Sequence, residues 1–145
     1  MAAINYKRVL GGGLAAGLLY DIFEFALSPL FIGNQYDVEL SAIRHTQPSA
    51  AGYTFFISWG FVIGLIAIFL YAAVRPRFGP GPRTAARVAL ALWIIGDLMP
   101  HVGEAFMGIF TLGLMLKFAA QQLLIMLAST IFGAWLYRES DSAGG

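Results

Sequence analysis

The chain contains no cysteine. Disulfides, thiolate metal sites, covalent haem attachment and thiol redox chemistry are therefore excluded. Charge is scarce as well. Only 12% of the 145 residues are Asp, Glu, Lys or Arg, about half of the roughly 25% usual in soluble domains. The net charge of +1 provides no electrostatic footprint for nucleic acid, so no nucleic-acid partner is expected. Histidine is limited to His45, in a polar connection, and His101, in an apolar run. A haem held between helices by two histidines thus lacks its ligand pair. The Walker A loop, His-Glu-x-x-His and Gly-x-Ser-x-Gly are also missing, which removes the main phosphate-binding and hydrolytic signatures.

Apolar sequence is what the chain has in quantity. Hydrophobic residues make up 59% and the mean hydropathy is +0.73, the composition of an integral membrane protein. At a rise of ~1.5 Å per residue, four runs can each cross a ~30 Å hydrocarbon layer. They cover residues 6–31, 51–74, 84–110 and 114–137. The expected fold is an all-α four-transmembrane-helix bundle, one membrane domain over residues 1–145. The head carries Lys7 and Arg8 like a signal peptide. The run behind it holds Asp21 and Glu24 and lacks an Ala-x-Ala site, so a retained first helix is expected.

The connections differ in character. Residues 33–50 form the longest, read as a solvated loop, with a short interfacial helix over Tyr36 to Ile43 as the alternative. Residues 75–87 combine three prolines, two glycines and four arginines, and the prolines and glycines predict a helix-free segment. Its arginines suit a topology signal or, more sharply, an anionic-lipid site. Pro29 is a candidate kink or stop in span 1, and Gly113 a candidate left-handed end to span 3. Lys7, Arg8, Arg75, Arg77, Arg83, Arg87 and Arg138 fall on one side of the bundle, and Arg44 and Lys117 on the other. The positive-inside rule then places both termini in the cytoplasm.

Ionisable residues inside the spans are the chemical signal. Asp21, Glu24, Asp97, His101 and Glu104 lie at membrane depth, where charge is costly and needs a partner or a task. Gln121 and Ser58 come to a similar level. Asp21-x-x-Glu24 and His101-x-x-Glu104 repeat one spacing on the first helix of each hairpin. A pseudo-two-fold arrangement would bring the two motifs face to face. Pro100, which has no N–H, frees the carbonyl of Gly96 beside them. On span 1, Gly13, Gly17, Asp21, Glu24 and Ser28 share one face, where small residues admit a close neighbour. Gly60 and Gly64 do the same on span 2. Either pair is a candidate homodimer face, or is used within the chain.

Four acids cannot all stay ionised together in a low dielectric. Three resolutions exist. Some are protonated and do proton or small-cation chemistry, including transport. Alternatively, Asp21, Glu24, Asp97, His101 and Glu104 hold a divalent metal (iron, manganese or magnesium suits such an oxygen-rich set) for a membrane enzyme. Or Lys117, Arg44 and His45 reach in, and the cluster only holds helices together.

The segments Asn-Tyr-Lys-Arg-Val-Leu-Gly-Gly at the head, Leu-Tyr-Ala-Ala-Val-Arg-Pro-Arg-Phe-Gly-Pro-Gly-Pro, and Gly-Ala-Trp-Leu-Tyr-Arg-Glu carry a resemblance. They resemble a broad group of small, uncharacterised bacterial four-span membrane proteins. That resemblance implies a bacterial cytoplasmic (inner) membrane protein and supplies neither an activity nor site residues.

Overall fold

A computed structural model describes residues 4–44 and 49–138. The first helix, α1 (Tyr6–Phe31), begins at Asn5, whose side chain accepts the Arg8 N–H at 3.2 Å. It passes through Pro29 and stops at Gly33, which has φ +58°. There the N–H groups of Ile32 and Gly33 both return to the Ser28 carbonyl, so the last turn closes around a left-handed glycine. A short helix, α2 (Gln35–Ile43), follows. The second span, α3 (Ala50–Phe78), starts at Ser49, whose hydroxyl accepts the Gly52 N–H.

Contrary to expectation, residues 75–87 are not helix-free. Helix α3 continues through Arg75, Pro76, Arg77 and Phe78, and α4 (Pro82–Trp93) starts at Pro82. The break is confined to the turn at Gly79 and Gly81, with φ +80° and +116°. Proline is tolerated at the first helical position because its missing N–H would be unpaired anyway. Arg75 and Arg77 in the last turn of α3 complement its dipole.

The third span runs without interruption over Pro82–Phe106 but changes its winding. A π-helical turn, Ile94–Leu98, joins α4 to α5 (Met99–Phe106), and the Met99 N–H reaches five residues back to Ile94. The widening comes immediately before Pro100, where the ordinary ladder loses a donor. The left-handed residue after this span is Gly108 (φ +72°) and not Gly113, which lies inside the last helix, α6 (Leu112–Leu136). Four helices are thus long and apolar enough to cross a membrane.

Helix α1 packs mainly on α3 and α6, and α6 also packs on α4 and α5. The Asn5 N–H meets the Tyr137 hydroxyl at 3.2 Å, so the start of α1 and the end of α6 lie at one end of the bundle, here the terminal end. The loop end carries α2. The core has three tiers. At the terminal end Ile68, Tyr71, Ala85 and Tyr137 are buried together. Tyr20, Ala89, Ile125 and Met126 form the middle. Ile32, Leu114 and Met115 close the loop end beneath Tyr36, Phe110 and Phe118. Outward-facing Leu10, Leu18, Phe25, Phe55, Phe56 and Trp135 are exposed, as a lipid-facing surface requires.

The small-residue faces are used inside the chain. A Cβ on Gly17 would sit 2.6 Å from the Phe61 Cα, and one on Gly13 would sit 2.8 Å from the Leu65 Cα. Gly64 lies equally tightly against Gly13 and Gly17. The Gly13/Gly17 and Gly60/Gly64 faces, candidates for a dimer, therefore pack on one another.

Candidate functional site

The polar cluster is built on the middle and loop-end turns of α1. Glu24 projects towards α6 and accepts from three neutral donors. These are Gln122 Nε2 at 2.7 Å, Gln121 Nε2 at 3.2 Å and, one turn on, Ser28 Oγ at 3.3 Å. Gln121 Nε2 also reaches Ser28 Oγ at 3.1 Å. Gln122 is fixed from its other end by the Tyr20 hydroxyl, which donates to Gln122 Oε1 at 2.8 Å. Tyr20, Gln121 and Gln122 are buried. A helix with adjacent amides in an apolar run turns them towards protein, because lipid offers no partner.

Asp21 takes the other side of α1. It is buried against Gly60 of α3 so closely that a Cβ there would collide with its carboxylate. Its Oδ2 has no hydrogen-bond partner among the described residues, and neither does Gln121 Oε1. The face shared by Gly13, Gly17, Asp21, Glu24 and Ser28 is thus divided between two helices. The glycines and Asp21 meet α3, while Glu24 and Ser28 meet α6. No residue of α3 over positions 50–59 is buried, so α3 no longer covers α1 at the level of Glu24.

The third acid comes from the π turn. Asp97 is buried, within electrostatic reach of Glu24, His101 and Tyr20. His101 turns back onto its own helix, with Nδ1 2.7 Å from the Asp97 carbonyl oxygen. A carbonyl can only accept, so Nδ1 carries a proton and Nε2 is the ring's exchangeable position. The imidazole also stacks on Phe118 of α6, with centroids 5.5 Å apart and planes at 6°.

Two sequence-predicted members lie elsewhere. Ser58 is exposed and donates to the Thr54 carbonyl at 2.8 Å. Glu104 acts on Tyr36 of α2, at the loop end. The motifs Asp21-x-x-Glu24 and His101-x-x-Glu104 do not meet face to face, because α1 and α5 each pack on α6 and not on one another. Among the described residues no three His, Asp or Glu side chains gather closely enough to hold a metal ion. The carboxylate shell expected for iron, manganese or magnesium is therefore not assembled here. Lys117 and Arg44 are exposed at the loop end, and Lys117 Nζ donates to Gln35 Oε1 at 2.7 Å. His45 lies outside the described residues.

The sequence reading missed Tyr20 and Gln122. The signal for both was present. Tyr20 lies one helical turn before Glu24, and Gln122 is the second polar amide in an otherwise apolar stretch.

Above the cluster, α2 is fastened to the start of α6. Glu39 accepts the Thr111 N–H at 2.8 Å and the Thr111 hydroxyl at 2.7 Å, and Gln35 Nε2 adds a third bond at 2.9 Å. Those bonds, the backbone one first, hold the Glu39 carboxyl below the ordinary carboxylate range. Tyr36 covers Phe110 and Phe118 with its ring. Burial first, then the charges of Glu104 and Asp37, raises its phenol above the usual range. From the loop end inward the order is Tyr36, Phe118, His101, Asp97, Glu24.

Compared with protein families, curated proteins and solved structures, the chain matches none. Its function is therefore read from the site.

Proposed function

We propose that this polytopic membrane protein binds or relays a proton or small cation at the cluster of Glu24, Asp21 and Asp97, as a step of transport, with its basic terminal end in the cytoplasm. The observation that carries this reading is the shell of Glu24. Every hydrogen-bond donor on that carboxylate is neutral, and two more acids lie close by at membrane depth. A like-charged group of acids in a low dielectric is relieved by taking up a proton or a cation. Gln121 and Gln122 can turn a donor or an acceptor to Glu24, so the shell accommodates both the carboxylate and the carboxylic acid. His101 Nε2 supplies an exchangeable position between Asp97 and the loop end.

Infrared difference spectroscopy of the reconstituted protein tests this. A carboxylic-acid C=O band that changes with pH or on adding sodium, potassium or magnesium ions is expected. Glu24→Gln or Asp97→Asn should remove part of it, while circular dichroism shows the helices intact. A cluster that only ties α1 to α6 would give a spectrum indifferent to pH and cations, and that result would overturn the reading.

A further inference from the structure

The terminal end of the bundle holds a feature unconnected with the acid cluster. A groove of about 420 Å³ runs between α6 and the turn that joins α3 to α4. Tyr71, Gly81 and Pro82 form one wall, and Ile131, Phe132 and Trp135 the other. This volume lies within the range of small-molecule sites, ~300–1,000 Å³. The wall from the turn is held rigidly. Gly81 N–H donates to the Tyr71 hydroxyl at 3.0 Å, and the Thr84 hydroxyl donates to the Gly79 carbonyl at 2.8 Å. Phe132 and Trp135 are exposed, so the groove is open on its lipid side.

Among the described residues the charge around this groove has one sign. Arg83 follows Pro82 on α4, and Arg138 follows the end of α6. Both are exposed, and neither engages a partner among the described residues. Arg87 lies over the Phe78 ring at 5.3 Å and Arg75 over the Tyr137 ring at 5.7 Å. No acid occurs at this end among the described residues. An apolar slot open to lipid, with exposed Arg83 and Arg138 close in sequence to its walls, complements an anionic amphiphile. We propose that the groove binds an anionic phospholipid, with an acyl chain between α6 and the α3–α4 turn and its phosphate on Arg83 and Arg138. Trp135, at the rim, sits where an indole is favoured at headgroup level. The proline- and glycine-rich turn is then one wall of a lipid site as well as a connection.

Native mass spectrometry of the detergent-solubilised protein, titrated with dioleoyl phosphatidylglycerol or dioleoyl phosphatidylcholine, tests the proposal. One phosphatidylglycerol should be retained per chain, on the order of 10-fold more tightly than phosphatidylcholine at low salt, as two basic side chains near a headgroup supply. The double change Arg83→Gln and Arg138→Gln, on the surface and harmless to folding, should bring the two lipids level. Ala128→Phe, which fills the groove, should weaken both. Equal retention of the two lipids by the unaltered protein would overturn the proposal. So would a preference for phosphatidylglycerol that survives the arginine changes, or a dimer whose second copy occupies the groove and excludes lipid.

Discussion

Helix α1 has two interfaces that solve one problem in opposite ways. Against α3 it is dry and close. Gly13 and Gly17 meet Gly60, Phe61, Gly64 and Leu65 with no room for a methyl group. Against α6, at the level of Glu24, it is polar, with Tyr20, Glu24 and Ser28 bonded to Gln121 and Gln122. In a bilayer neither interface gains from the hydrophobic effect, because lipid is as apolar as a side chain. One is held by van der Waals contact at short range and the other by hydrogen bonds that lipid cannot replace. The first is therefore sensitive to size and the second to polarity. The second holds Glu24 in a shell of neutral donors, so the candidate chemistry is centred there, with Asp21 beside it at the edge of the first.

Size is the stronger lever. Gly64→Leu must push α1 away from α3 along the whole crossing and should cost about 3 kcal/mol. Thermal unfolding in detergent would show it as a large drop in Tm. Gly103→Ala, where nothing lies within 4 Å, serves as the control and should stay within about 1 kcal/mol of the original. If the two variants unfold alike, the dry interface is not the one described.

Polarity ranks second. Gln122→Leu removes a donor from Glu24 and the acceptor of the Tyr20 hydroxyl, leaving both to find other partners, at about 2 kcal/mol. Adding Tyr20→Phe to that background should cost little more, since its hydrogen bond is already gone. Full additivity of the two changes would mean that the bond contributes nothing.

The smallest effect belongs to the latch between α2 and α6. The folded-state pKa of Glu39 is depressed, chiefly by the Thr111 N–H. The stability it contributes is therefore complete above its unfolded pKa and is lost as pH falls through the folded value. Amide exchange at Thr111, corrected for its intrinsic pH dependence, should show protection that declines on acidification below the ordinary carboxylate range. Glu39→Gln should remove that pH dependence and leave the spans unchanged. Unaltered pH dependence in the variant would place the titrating group elsewhere.

Much of the fold could be read from hydropathy alone. The run from Tyr6 to Phe31 became α1 with the same limits, while the connection after it, read first as a solvated loop, holds the helix α2 that was its alternative. Residues 75–87 misled because prolines were counted without regard to position. Pro82 stands at the first residue of a helix, where its missing N–H would be unpaired anyway, and Pro76 removes a single bond from the end of a helix already long. The π turn at Ile94–Leu98 left no mark except Pro100, since hydropathy is blind to the number of residues in a turn.

The site was legible in its ingredients and not in its grouping. Spacing showed that Asp21, Glu24, Asp97 and His101 lie at comparable depth. It did not show that α6 would receive Glu24 and His101 while Asp21 met α3, or that Gln122 and Tyr20 would complete the shell while Ser58 and Glu104 pointed elsewhere.

The sequence by itself determined that this is a four-span helical membrane protein, that most of its bases collect at one end, and that acids interrupt its apolar runs. Those properties follow from local composition and from the fixed rise of a helix. Only the tertiary structure decided which helix each acid faces. That depends on how α1 crosses α3 and α6, and the crossing is set by close contact at a few glycines with residues far away in the chain.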